Sequence, residues 1–149
     1  MNNIFSNELH LSYGDPPYDI HFEAKAVGED ILAVVTGGTK PHIGAVALAE
    51  PADALHPVSG EKRDDAISEN TESDTFKQPD GSLSPTVSII TAYGHKDAIL
   101  AEMFARGLCE RFGANVCAAA GVHIDRAGPE EIKLMVDNAK AILSLTLAD

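Results

Sequence analysis

Three times in this chain an apolar run ends in glycine and then, within a few residues, histidine. The stretches are Gly37-Gly38-Thr39-Lys40-Pro41-His42, Gly94-His95-Lys96-Asp97 and Gly121-Val122-His123-Ile124-Asp125. The middle one constrains the fold most. Thr86-Val87-Ser88-Ile89-Ile90-Thr91 is β-branched and reads as a buried strand, and helical spacing begins directly after Asp97. A strand therefore delivers Gly94, His95, Lys96 and Asp97 to the mouth of a helix, where polar groups can be held rigidly and still meet a ligand. The fold is expected to bring all three glycine–histidine turns together around one site.

The elements around these turns follow from periodicity. Residues 9–13 form at most one short strand in an irregular arm. Residues 20–27 alternate, with Ile20, Phe22, Ala24 and Ala26 on one side and His21, Glu23 and Lys25 on the other, which predicts a half-buried strand. Residues 31–36 are apolar on both faces, as inside a sheet. Residues 43–49 form the next strand, and the short connection through 37–42 predicts antiparallel pairing of these two. Gly44 and the neighbouring alanines leave room for a helix or a flat ligand. Residues 97–112 carry Ile99, Leu100, Met103, Phe104, Leu108 and Phe112 at helical spacing, and Gly113 is a natural stop. A small-residue strand over 115–120 precedes a last helix that opens with Pro129, Glu130 and Glu131 and buries Ile132, Met135, Val136, Ala139, Ile142 and Leu143. The order β-β-β-β-α-β-α predicts an α/β class fold, an α+β sandwich with a mixed sheet of about five strands and two main helices. Its helix-linked strands are parallel with a right-handed crossover.

The 149 residues, 44% of them hydrophobic, suit a single domain over 1–149. Residues 58–84 are polar and acidic, and read as a surface excursion, either a lid over the site or decoration. No apolar run approaches the ~18 residues of a membrane span, and the first residues lack signal-peptide character, so a cytoplasmic location without membrane association is expected. The net charge of −12 argues against nucleic acid as a partner. Lys40, Lys96 and Arg126 nevertheless sit within a few positions of the three turns, which suits an anionic ligand. Cys109 and Cys117 have apolar neighbours and no metal or redox spacing, and read as buried free thiols.

His42, His95 and His123, with Asp97 and Asp125, have the chemistry of a zinc, iron or manganese site. No local metal motif supports them, and any one of these histidines more often caps a helix or bonds a loop carbonyl. His10, His21 and His56 have no glycine turn beside them and read as surface or packing residues. Gly37, Gly38 and Lys40 in one turn, and Gly94, His95 and Lys96 in another, can present amides and ammonium groups to a phosphate. No GxSxG sequence is present, and no hydroxyl is placed as an evident nucleophile.

The same three stretches, Gly37 to Gly44, Gly94 to Asp97 and Gly121 to Asp125, resemble signatures of the small D-subunit proteins of gallate decarboxylase. That family is described as chaperones for prenylated flavin in UbiD-type systems, and the resemblance covers roughly residues 20–145. It implies a non-catalytic accessory protein that binds or delivers prenylated FMN or FMN and has a UbiD-type decarboxylase as partner. The implied cofactor-binding residues are Gly37, Gly38, Lys40, His42, Gly94, His95, Lys96, Asp97, His123 and Asp125, and a homo-oligomer is left open. Small-residue walls for the flavin ring would come from Gly44-Ala45 and Ala118-Ala119-Ala120. The alternative from the residues alone is a small metal-dependent hydrolase or isomerase that uses His42, His95 and His123.

Overall fold

Alternation in residues 20–27 becomes a strand with one wet and one dry face, and the sheet is built outward from it. A computed structural model of the protein describes residues 8–52, 84–94 and 96–148. Six strands form one mixed sheet: β1 (Leu9–Tyr13), β2 (Ile20–Val27), β3 (Asp30–Gly38), β4 (Ala45–Glu50), β5 (Thr86–Thr91) and β6 (Val116–His123). Two helices complete the fold, α1 (Ala98–Phe112) and α2 (Pro129–Ala148). The class is the α+β arrangement expected from the sequence, with six strands rather than about five because 9–13 pairs fully with β2. The polar stretch 58–84 falls, apart from its last residue, outside the described residues, as does His56.

Strand order across the sheet is β1-β2-β3-β6-β4-β5. This corrects the expected pairing of residues 31–36 with 43–49. β6 lies between β3 and β4, parallel to the first and antiparallel to the second. The physical reason lies in the connection. Residues 39–44 do not turn tightly but lie along the end of β6, with Thr39 N–H donating to His123 O at 2.9 Å and Gly44 N–H to Ala120 O at 2.9 Å. β5 and β6 run the same way, as the helix between them requires, but α1 crosses over β4 rather than joining neighbours.

Both helices cover one face. The buried side chains Ile20, Phe22 and Ala24 of β2, Ile31, Ala33 and Val35 of β3, Ala45, Ala47 and Ala49 of β4, and Val116, Ala118 and Ala120 of β6 all point to it. Alanine predominates beneath α1, so that helix approaches closely, and Phe104 and Leu108 fill the space the alanines leave. The Phe104 ring meets Phe22 with centroids 5.3 Å apart. Gly113 ends α1 in the left-handed conformation, φ 65°, and its N–H returns to Cys109 O at 2.8 Å. Cys109 is buried, and desolvation pushes its thiol up to about 11, which keeps it inert. Cys117 is only half-buried, on the face the helices do not cover.

Phe104 is the largest side chain that α1 contributes to the core. Phe104→Ala is expected to cost about 3–5 kcal/mol in urea-unfolding experiments. A loss below ~1 kcal/mol would mean that the ring does not hold helix to sheet.

Candidate functional site

Asp97 sits where α1 begins, and its carboxylate is turned inward, 7% exposed. It occupies the N-cap position of α1 yet makes no side-chain cap hydrogen bond. Instead Oδ1 accepts the Val122 N–H at 2.9 Å and Oδ2 lies 3.1 Å from His42 Nε2. Gly44 makes this approach possible, because a Cβ there would stand 1.9 Å from Asp97 Oδ2. Gly44 thus leaves room for a carboxylate.

His42 continues the network. Its Nδ1 lies 3.0 Å from the Lys40 carbonyl, which can only accept, so this nitrogen carries a proton. The His42 and His123 rings meet edge-on with centroids 6.1 Å apart. His123 Nε2 lies 3.0 Å from Asp125 Oδ1, and Lys40 Nζ bonds the other oxygen of Asp125. Hydrogen bonds from Lys40, first, and His123 hold the exposed Asp125 carboxyl below its usual range. Two of the glycine–histidine stretches therefore meet in space; His95 lies outside the described residues.

Gly37, Gly38 and Gly121 are not turn glycines. Both β3 and β6 run through them, and their task is close approach. A Cβ on Gly121 would stand 1.8 Å from the His42 carbonyl oxygen, and one on Gly38 would stand 2.2 Å from that of His123. The amides of Gly38, Thr39 and Lys40 donate to the carbonyls of Asp19 and His123. These amides and the exposed Lys40 ammonium thus already have partners within the chain. The small-residue walls are likewise occupied: Ala45, Ala118 and Ala120 are buried beneath α1, and Ala119 points to the opposite face.

Beside this network opens a cavity of about 490 Å³. It lies between the start of α1, the end of β6 and the first turns of α2. Val122, Ile124, Ile99, Leu100, Ile132 and Met135 give it apolar walls, and Lys96, His123 and Arg126 stand among them. Lys96 and Arg126 form no ion pair among the described residues. Arg126 holds φ 57°, a left-handed conformation uncommon for a residue with a side chain, at the turn into α2. That turn is fixed from below, where Glu131 accepts the Gly128 N–H at 2.7 Å and the Tyr18 hydroxyl at 2.8 Å. The same two bonds, Gly128 first, hold the Glu131 carboxyl below its usual range.

Of the residues expected at the site, Gly94, Lys96, Asp97 and His123 line this cavity; Gly37, Gly38, Lys40, His42 and Asp125 form the network beside it. The apolar lining was not recognised from sequence, since Ile99, Ile132 and Val136 read as core stripes. Ile99 and Leu100 are adjacent and point about 100° apart on α1, and of the two only Leu100 is buried. Ile99 is 70% exposed. Among the described residues no group of three or more His, Cys, Asp or Glu side chains is placed to hold a metal ion.

A family model for the prenylated flavin chaperone LpdD-like domain matches residues 14–69 and 66–149. No match is found among curated proteins. Among solved structures, the chain is similar to one in the crystal structure of a chaperone complex for yeast 20S proteasome assembly. The TM-score is 0.52 at 14% identity, over 95% of this chain and 92% of that one, which is a likeness of fold.

Two outcomes test the geometry. Gly121→Ala should drive the 39–44 connection off β6 and destabilise the protein by about 1–3 kcal/mol in thermal unfolding; an unchanged midpoint would mean that the contact is slack. Lys40→Met should raise the Asp125 pKa, read by carboxyl NMR titration, because it removes the larger of two bonds to the charged form. A lowered folded-state pKa stabilises above the unfolded value of about 3.9 and is lost as pH falls through the folded one. The variant's stability deficit should therefore be present at neutral pH and vanish in acid. A deficit independent of pH would remove Asp125 as its cause.

Proposed function

The chain belongs to the family of prenylated flavin chaperone LpdD-like domains, and from that premise we propose that it is a non-catalytic accessory protein of a UbiD-type decarboxylase or carboxylase, which holds prenylated FMN in the cavity between α1, β6 and α2. One observation carries this reading. The cavity has apolar walls and two cations, Lys96 and Arg126, that no carboxylate neutralises among the described residues. A prenylated flavin mononucleotide is an amphiphile of the same kind, with an apolar ring and prenyl carbons at one end and a phosphate at the other.

The fit extends to size and electrostatics. About 490 Å³ lies within the ~300–1,000 Å³ of ordinary small-molecule sites. Asp97 makes no side-chain cap hydrogen bond at the N-terminus of α1, so the first amides there favour an anion beside Lys96. The described lining residues include no Phe, Tyr or Trp ring for stacking, and Tyr93, nearest the motif, is fully exposed. The ring would therefore rest on aliphatic groups, Ile99, Ile132 and Met135 foremost. Aliphatic contact holds a ring less specifically than stacking does, which suits a protein that must also release its cargo. Prenylated FMN supplies decarboxylation chemistry when bound to the decarboxylase; here the chain's residues bind and shield it.

Titration of FMN and riboflavin into the protein, followed by flavin fluorescence, tests this. FMN should bind about tenfold tighter than riboflavin, the worth of one charge-assisted contact. Lys96→Ala and Arg126→Ala should each erase most of that difference and leave riboflavin affinity within about twofold, as expected when a charge is removed without altering the apolar walls. Lys40→Ala should change neither, since Asp125 already holds Lys40. Equal affinity for FMN and riboflavin, or a Lys40 effect larger than those of Lys96 and Arg126, would overturn the assignment.

A further inference from the structure

The sheet face that the helices leave uncovered changes character midway. On β1 and β2 it presents His10, Ser12, His21, Glu23 and Lys25, the side chains of a face that meets water. On β3, β6, β4 and β5 it presents Leu32, Val34, Cys117, Ala119, Val46 and Leu48, with Ile90 beyond them. Leu48 is 44% and Ile90 77% exposed. Both helices pack on the other side, and no described element lies over this one. The register aligns the face into two rows. Glu23, Val34, Ala119, Val46 and Ile90 form one; Lys25, Leu32, Cys117, Leu48 and Ser88 form the next.

We propose that this face pairs with the same face of a second copy, about a two-fold axis crossing the strands at the level of Ala24, Ala33, Ala118 and Ala47. That axis lies midway between the rows, so it sets each row over the other row of the second copy. Glu23 then faces Lys25 of the second copy, and Lys25 faces its Glu23. Val34 meets Leu32, Val46 meets Leu48, and the small Ala119 meets Cys117. No like charges oppose one another within either row, although the chain carries −12 overall. The charge pattern is therefore self-complementary under one operator, which argues for a second copy over an unrelated partner.

The area suffices. Six strands at about 4.8 Å spacing and roughly 20 Å long project to about 580 Å². Side-chain relief brings that near the ~800 Å² that each partner buries in a standard interface. Two twisted sheets pack about 10 Å apart at roughly −30°, so the Glu–Lys pairs at β2 lie at the rim, within reach of long side chains. Apolar core and polar rim are the usual anatomy of such contacts.

Sedimentation equilibrium of the full chain tests the pairing. Wild type should be a dimer at micromolar concentration. Ala119→Glu, which sets two carboxylates into the apolar centre, should be a folded monomer by circular dichroism, with dimer dissociation raised at least about a hundredfold. Should that variant fail to fold, the exposed rim decides. Glu23→Lys should weaken the dimer about five- to tenfold by turning two attractive pairs repulsive. Glu23→Lys combined with Lys25→Glu should restore it to within about twofold, since the exchanged charges again face their opposites. A wild-type monomer at ~100 µM, or an exchanged variant that dimerises no better than Glu23→Lys alone, would overturn the proposal.

Discussion

The Asp97 carboxylate joins three segments that are far apart in the chain. It takes the amide of Val122 from β6, lies against His42 from the 39–44 connection, and occupies the N-cap position of α1. A buried carboxylate is costly unless its oxygens are bonded, and here both are. The arrangement depends on glycine at two places. Gly44 lets the carboxylate in, and Gly121 lets the His42 carbonyl lie on the strand. Because Asp97 is held inward, its side chain makes no cap hydrogen bond to α1, and the cavity opens at that terminus. Fold and site thus share one contact.

Much of this was legible from spacing. The limits of β2, the helix over 98–112 and its glycine stop, and the two-helix mixed sheet all follow from local pattern, because each depends on residues adjacent in sequence. Strand order did not follow. The insertion of β6 between β3 and β4 is a long-range pairing, fixed by hydrogen bonds from Thr39 and Gly44 to β6 that no local pattern encodes. Two of the three glycine–histidine stretches meet in space, but Gly37 and Gly38 do not form the expected phosphate-cradling turn. Gly37, Gly38 and Gly121 lie inside strands and serve backbone contact. Lys40 likewise reads as an anion binder until the fold brings Asp125 beside it, 85 residues on.

The cavity was the least legible feature because its walls belong to two helices and a strand end. Ile99 and Ile132 look like core residues in a helical stripe, yet each stands in the first turn of its helix, at least half exposed, and lines the cavity. The uncovered sheet face was hidden for a related reason: apolar residues on both sides of β3, β4 and β6 signal a strand inside a sandwich, without saying what forms the second layer. In one chain the helices form one layer, and the proposed dimer supplies the other. The proposed flavin cavity and the proposed pairing face then lie on different sides of the sheet, so the two proposals do not compete.

Methyl-resolved NMR of the protein with FMN added separates these surfaces most directly. Shifts at the methyls of Ile99, Val122, Ile132 and Met135, with Leu32, Val34 and Val46 unchanged, are what a flavin site between α1, β6 and α2 predicts. Shifts confined to Leu32, Val34 and Val46, with the cavity methyls silent, would contradict it and move the flavin to the open face of the sheet.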